Sequence, residues 1–346
     1  MPKVAQSAEK RIGLQSSLWL SVILLTGLIL FSCLVGRYSV SFREFFTISV
    51  SQLTGATHDL PVVLETVIFK IRLPRVLAAV LVGAALAAAG ATYQALFRNP
   101  LASPDILGVS AGAGLGAALA IFLSLPVGAI QLMAFVFGLG TVFAVYGVSR
   151  MVRGHDPILV LVLAGVVIGT LGGSCISLLK YLADPYDQLP AITFWLLGSL
   201  NAVSAPDMLV TLIMVTIGLL PLYLLRWRMN LMSLGDEEAR ALGINTDALR
   251  VAFILAATLV TAAAVSISGV IGWVGLMIPH VARLMVGPDF RALLPTSMFL
   301  GASYLLAVDD LARTIAEIEV PLGILTAFLG APFFLWLLSR TGRTWN

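Results

Sequence analysis

The stretch VLAAVLVGAALAAAGATYQALF, residues 76–97, contains no charged side chain and consists largely of alanine, glycine, valine and leucine. An apolar run of about 20 residues is long enough to cross the hydrocarbon core of a bilayer as a helix. Small residues dominate it between Gly83 and Gly90, and such residues allow neighbouring helix backbones to approach closely in lipid. The stretch therefore predicts a membrane-spanning helix packed inside a helical bundle.

Nine further apolar stretches accompany it along the chain. They are approximately Leu18–Val35, Ile106–Leu125, Ile130–Val148, Ile158–Leu179, Met208–Leu225, Leu249–Ile267, Val270–Met285, Leu294–Val308 and Leu322–Leu338. Several are short or interrupted by glycine, which indicates broken helices in a packed bundle. Ile192–Leu200 is too short to cross and predicts a half-helix. We predict an all-α polytopic membrane protein with ten transmembrane helices, a single domain over residues 18–338, and tails at 1–17 and 339–346.

The composition excludes several classes of protein. Hydrophobic residues make up 59% of the 346 residues, charged residues only 11%, and the net charge is +3. Soluble domains carry about 25% charged residues, so a soluble enzyme, a disordered chain and a nucleic-acid binder are all excluded. The three histidines have no metal-ligand spacing, and both cysteines lie in apolar runs. We therefore predict no catalytic residue, no metal site and no cofactor.

The distribution of basic residues predicts the orientation of the chain. With ten spans, loops on the side of the N-terminus hold fourteen of the 21 Lys and Arg residues. The positive-inside rule then places both termini in the cytoplasm. In a bacterium, this multi-pass protein would lie in the inner membrane, with its opposite side facing the periplasm.

A basic patch stands at the outer mouth of the second predicted span. Arg72 and Arg75 lie three residues apart there, and Arg313 lies between the last two spans. These side chains could snorkel to lipid headgroups. They could equally form a face that docks carboxylates of a soluble partner, because arginine pairs with carboxylates in a bidentate geometry.

Two segments on the predicted cytoplasmic side are expected to form a turn and a compact helical knob. In Phe97–Ser110, Ser103 is a candidate N-cap, Pro104 a first helical residue and Asp105 a first-turn acid, which suits either a tight loop or a gate. In Met232–Asn245, Ser233 or Asp236 could cap a short helix that ends at Gly243, and Asn245 could cap the next helix. That knob is either a plain surface loop or a surface presented to a motor protein.

At these patches the sequence resembles the iron-chelate and vitamin B12 permeases of type II ATP-binding-cassette importers, from about residue 70 to the end. The matching segments are Arg72–Arg75, Val82–Leu86, Gln94–Ala102, Leu107–Ser110, Phe194–Ser199, Gly235–Gly243, Gly275–Arg283 and Pro321–Pro332. The resemblance implies a vitamin B12 permease-like fold and a homodimer. It also implies two cytoplasmic ATPase subunits and a periplasmic substrate-binding protein as partners.

The resemblance also implies roles for particular residues. Arg72, Arg75 and Arg313 stand at the family's receptor-docking positions. Asn99 and Leu101 match one segment of the cytoplasmic gate, and Ile158 and Leu159 stand in the other. The ATPase-coupling loop, about residues 230–248, contains Ser233, Leu234, Gly235, Asp236, Glu237, Ala239, Arg240, Leu242 and Gly243.

The expected cargo is a metal chelate, most often a ferric siderophore in this family, with haem, vitamin B12 and molybdate as alternatives. The chain lacks the GxxxxGK[ST] nucleotide loop, so ATP hydrolysis is expected from a separate subunit. An ion-coupled secondary carrier is the alternative of another class. It requires ionisable groups at mid-membrane, and Asp309 and Asp310 come nearest to that depth.

Overall fold

The computed structural model describes residues 14–36, 38–55, 60–152 and 157–341, and every regular element in these ranges is helical. The α-helices are α1 (Leu14–Leu34), α2 (Phe42–Thr54), α3 (Val62–Glu65), α4 (Leu73–Leu96), α5 (Val109–Phe122), α6 (Val127–Met151), α7 (Pro157–Leu182), α8 (Gln188–Leu197), α9 (Ala205–Leu224), α10 (Arg226–Met232), α11 (Asp236–Ala241), α12 (Thr246–Ser268), α13 (Val274–Val286), α14 (Phe290–Thr314) and α15 (Leu322–Thr341). The all-α prediction is confirmed for these ranges.

Seven helices of the described chain are long and apolar enough to cross a membrane. They are Ser16–Leu34, Val62–Leu96, Val127–Met151, Ile158–Leu182, Ala205–Leu224, Thr246–Ser268 and Phe290–Thr314. The other three predicted spans correspond to α5, to α13 and to the apolar part Leu322–Leu337 of α15, all of which are shorter than 18 residues. A helix of 14 residues such as α5 is only about 21 Å long, whereas the hydrocarbon core is about 30 Å thick. Length therefore supports seven crossings, and ten are not confirmed.

The ends of the predicted elements shift by several residues. The predicted half-helix is present as α8, Gln188–Leu197. Helix α1 begins at Leu14 and α15 reaches Thr341, so both helices extend into the predicted tails. Residues 1–13 and 342–346, which make up the rest of those tails, lie outside the described residues.

Helices α4, α12 and α14 form the interior of the bundle. About three quarters of the apolar windows of Val62–Leu96 and Thr246–Ser268 are buried, and two thirds of that of Phe290–Thr314. In contrast, only about one fifth of the corresponding windows of α6, α7 and α9 is buried. Those three helices present apolar faces outward, as helices in contact with lipid or a second membrane subunit do.

Glycine brings the backbones of the interior helices together. A Cβ atom at Gly83 of α4 would lie 2.3 Å from the carbonyl oxygen of Gly301 on α14. A Cβ atom at Gly90 would lie 1.9 Å from the carbonyl oxygen of Gly275 on α13. No side chain fits at either position, so the small-residue face predicted between Gly83 and Gly90 is confirmed as a packing face.

The second span begins well before its predicted start at Val76. The helix is continuous from Val62 to Leu96 and includes a π-helical segment, Thr66–Arg72, immediately before Pro74. Proline has no amide hydrogen to donate and its ring collides with the carbonyl of the preceding turn. The wider π turn accommodates this, so the proline does not end the helix and the basic patch lies inside it.

Candidate functional site

The three predicted docking arginines meet at the end of the bundle where α1 and α14 end. Arg75 donates from Nε and Nη2 to the carboxylate of Asp309, at 3.0 and 2.9 Å. Its Nη1 donates to Glu319, in the loop between α14 and α15, at 2.9 Å. The side chain of Arg75 is 8% exposed and that of Asp309 is fully buried. Arg75 thus joins α4 to the end of α14 and to the loop that follows.

Arg72 and Arg313 bind the end of α1 to α4 and α14. Arg72 Nη1 donates to the backbone oxygens of Cys33 and Leu34, at 2.8 and 2.9 Å, which have no partner within their own helix. Arg313 donates to the carboxylate of Asp310 and to Ser32 Oγ. These bonds hold α1 against α14.

We call Arg72, Arg75, Arg313, Asp309, Asp310 and Glu319 the buried charge cluster. All three arginines are buried; Arg75 and Arg313 form ion pairs with the three carboxylates, whereas Arg72 binds backbone oxygens. The structure therefore brings the predicted arginines together, but it also supplies them with internal partners that the sequence reasoning did not assign. The acidic residues Asp309, Asp310 and Glu319, close in sequence to Arg313, were the available signal. A docking role for the arginines stays a prediction.

The first predicted gate segment is a tight turn after α4. Arg98 adopts a left-handed backbone conformation, with φ at 49°. The Asn99 side chain accepts a hydrogen bond from the Leu101 amide at 2.9 Å, which closes the turn, and Leu101 is half exposed. Ser103 occupies the predicted N-cap position, with Pro104 and Asp105 in the first turn, but its side chain makes no capping hydrogen bond. A 3-10 turn, Pro104–Leu107, follows instead.

The second predicted gate segment lies in the first turn of α7. Leu159 is half exposed there, and Ile158 packs partly against the core. Helix α7 packs against Pro104–Leu107, which follows the Asn99 turn, so both predicted segments lie at the same end of the bundle. Asp156, which precedes them, lies outside the described residues.

The predicted coupling loop contains the short helix α11. Neither Ser233 nor Asp236 caps it, as Gly235 occupies the N-cap position with φ at 142° and Asp236 is the first helical residue. Asn245 does cap the next helix, accepting from the Ala248 amide at 3.0 Å. That next helix is the long α12 rather than a second short one. The knob is therefore one short helix set on the start of an interior span.

Asp236 connects this knob to the gate turn. One carboxylate oxygen lies 3.3 Å from Arg98 Nη2, and the other lies 2.6 Å from Arg250 Nη2 on α12. The Arg250 side chain is 7% exposed, whereas those of Asp236 and Arg98 are 32% and 43% exposed. Sequence reasoning placed Asp236 in the coupling loop but did not pair it with Arg98, since 138 residues separate the two.

Within the described ranges, no group of three or more His, Cys, Asp or Glu residues could hold a metal ion. Cys33 and Cys175 are free thiols.

The family model of the FecCD transport family matches residues 23–340 of the chain. A probable iron chelatin transport system permease protein of Helicobacter pylori is 42% identical over 309 residues, covering 89% of this chain and 93% of the relative. The molybdate import system permease protein MolB of Haemophilus influenzae is 40% identical over 309 residues, covering 89% and 91%.

A solved structure also matches the fold. It is described as an inward-facing conformation of an ABC transporter of the metal-chelate type, with a TM-score of 0.83 and 38% identity. The alignment covers 93% of this chain and 98% of that one. The family model spans nearly the whole chain, and two relatives exceed 30% identity over most of its length. The chain therefore belongs to the FecCD transport family.

Proposed function

We propose that this chain is the membrane-spanning, non-catalytic subunit of an ATP-binding-cassette importer that carries a metal chelate. The favoured cargo is a ferric siderophore. Haem, vitamin B12 and molybdate are alternative cargoes, because relatives are described as permeases for an iron chelate, molybdate, cobalamin and hemin. The observation that carries the proposal is that Asp236 forms two ion pairs, with Arg98 and with Arg250. These ion pairs connect the solvent-exposed helix of the coupling loop to the predicted gate turn.

The proposed assembly contains two copies of this chain, two ATPase subunits and a substrate-binding protein outside the membrane. The outward apolar faces of α6, α7 and α9 support contact with lipid and with a second copy. The positive-inside rule supports both termini, and thus the knob, on the cytoplasmic side of a bacterial inner membrane. ATP binding would draw the two ATPase subunits together and move each knob.

Movement of the knob would reach the gate turn through Asp236. The Asp236–Arg98 ion pair connects α11 to the turn after α4. A shift of α11 could therefore move this turn while both helices stay folded. Arg250, almost buried on α12, fixes the other side of the same carboxylate. A pair that can rearrange between two states is what alternating access requires.

Docking of the binding protein is proposed at the buried charge cluster. Glu319 is its most exposed member, with 27% of its side chain accessible. A carboxylate of the binding protein would therefore approach Arg75 from the Glu319 side and exchange with it. The remaining members are buried.

An ion-coupled carrier finds no support. Its expected carboxylates, Asp309 and Asp310, are engaged by Arg75 and Arg313.

Reconstitution into liposomes tests the proposed function. Uptake of ferric siderophore should require ATP, the ATPase subunit and the loaded binding protein, and the purified chain alone should hydrolyse no ATP. Binding of candidate chelates to the cognate binding protein identifies the cargo. Full-rate uptake by this chain alone along a solute gradient would overturn the proposal.

A further inference from the structure

A groove opens at the end of the bundle where α9 ends and α14 begins. Two adjoining cavities, each of about 430 Å³, share Tyr223, Arg226 and Arg291 in their walls. The mouth is formed by these three residues and Trp227. The floor is apolar and includes Leu18, Pro295, Met298 and Phe299. We call this feature the arginine–tyrosine groove.

The mouth of the groove carries arginines without acidic partners. No carboxylate of the described residues lies within ion-pair distance of Arg226 or Arg291. Arg226 stacks on the Tyr223 ring, 3.7 Å from its centroid, and donates to the Tyr223 carbonyl at 3.1 Å. The stacking holds Arg226 in place and leaves guanidinium donors for an anion.

The nearest acidic side chain, Asp289, is engaged elsewhere. Its carboxylate accepts hydrogen bonds from the Arg291 amide at 2.9 Å and from the Asn230 side chain at 2.6 Å. Partial burial opposes ionisation, but these hydrogen bonds and the charge of Arg291 hold the pKa of Asp289 below its usual value. The carboxylate is thus ionised at neutral pH and faces α10. It offsets only part of the positive charge at the mouth.

The floor of the groove faces the lipid-exposed side of the bundle. Helix α9, which forms one wall, is among the least buried spans, and Leu224 and Tyr223 at its end are exposed. The cationic mouth with its tyrosine and tryptophan suits the headgroup of an anionic phospholipid, and the apolar floor suits an acyl chain. Basic pockets of this kind between membrane helices bind anionic headgroups, and aromatic rings of this kind lie at the headgroup level.

We propose that the arginine–tyrosine groove is a binding site for one anionic phospholipid, with the phosphate at Arg226 and Arg291 and an acyl chain along Pro295, Met298 and Phe299. The groove adjoins α10, which leads into the coupling loop. Asn230 of α10 donates to Asp289 and accepts from the Phe290 amide at 2.8 Å, and these bonds join α10 to the start of α14. Lipid in the groove would therefore stabilise the contact between these two helices.

Native mass spectrometry of the full-length chain in detergent tests the site. The probes are phosphatidylglycerol and phosphatidylcholine with identical acyl chains, inorganic phosphate, and glycerol phosphate. Wild type should retain one phosphatidylglycerol in preference to phosphatidylcholine, and neither small anion should displace it. Loss of two arginine contacts in R226Q/R291Q should weaken phosphatidylglycerol binding about thirty-fold.

The matched control is R150Q. Arg150 also lies over a tyrosine, 5.2 Å from the Tyr146 ring centroid near the end of α6, but away from the groove. R150Q should bind phosphatidylglycerol as wild type does. An equal loss in R150Q, equal retention of both lipids, or displacement by inorganic phosphate would each overturn the proposal. If the double variant does not fold, R291Q alone, with its exposed side chain, must show a loss that R150Q does not.

Discussion

The two ends of the bundle use ion pairs in opposite ways. At one end, the buried charge cluster holds Arg75 and Asp309 almost out of reach of solvent and locks α1, α4 and α14 together. At the other end, Asp236 binds one buried and one exposed arginine, and the pair Arg240–Asp247 nearby is largely exposed. Desolvated pairs are rigid and costly to break, whereas exposed pairs are screened and weak. The first arrangement is suited to holding helices together and the second to moving them.

The largest effect is expected from breaking the buried end. Asp309→Asn would leave the Arg75 cation without its main partner in a buried site. The free energy of unfolding should fall by about 3 kcal/mol, measured by denaturant or thermal unfolding of the purified chain in detergent. Arg240→Gln, in the exposed pair with Asp247, serves as the control and should cost under about 1 kcal/mol. Similar losses in both variants would contradict the contrast between the two ends.

A smaller effect on stability, but a larger one on transport, is expected at the coupling end. Asp236→Asn removes the charge shared by Arg98 and Arg250 and should lower uptake per ATP hydrolysed by about fivefold, which corresponds to about 1 kcal/mol of coupling. The ATPase subunit should still bind. Arg240→Gln, which breaks the neighbouring pair with Asp247, is the control and should keep the ratio of uptake to hydrolysis.

A wild-type ratio in Asp236→Asn would remove the ion pair from the coupling route while leaving the importer assignment intact. Absence of any ATP-driven uptake in the wild-type assembly would instead remove the importer assignment itself. A double-mutant cycle with Arg98→Gln separates the Arg98 contact from the Arg250 contact.

The ion pair between Glu319 and Arg75 is intermediate between these two kinds, because the Glu319 side chain is partly exposed and the Arg75 side chain is buried. Glu319→Gln should free one donor of Arg75 for an incoming carboxylate and raise the affinity for the binding protein about threefold. Surface plasmon resonance on the reconstituted permease measures this. An unchanged or weaker affinity would argue against docking through Arg75.

The smallest effect is expected at Asp289. Because its folded-state pKa lies below the usual value, its ionised form stabilises the fold above about pH 4, and this contribution is lost as the pH falls further. Asp289→Asn should therefore lower the stability slightly at pH 7, flatten the acid limb of the stability curve and make a smaller difference at pH 3. Unfolding curves at pH 3 and pH 7 check the difference, and an equal loss at both values would attribute the effect to the hydrogen bonds alone.

Several features of the site could be predicted because they depend on local chemistry. Asn245 caps α12 as its residue type suggests, and the turn at Asn99 lies where the prolines end the preceding span. Ser103 also stands at the N-cap position, although it precedes a short 3-10 turn and its side chain makes no capping bond. Asp236 has an equally favourable residue type, yet Gly235 occupies the N-cap position and the Asp236 carboxylate binds Arg98 and Arg250 instead.

The sequence by itself determined that this chain is a bundle of apolar helices with a small-residue core and a family-specific set of motifs. Hydropathy and glycine spacing are local quantities, so they could be measured residue by residue. Only the tertiary structure decided that Arg75 is buried against Asp309, that Arg72 is buried against backbone oxygens at the end of α1, and that Asp236 reaches Arg98. These pairings join residues that are distant in the chain, and their burial depends on helix packing that no single segment specifies.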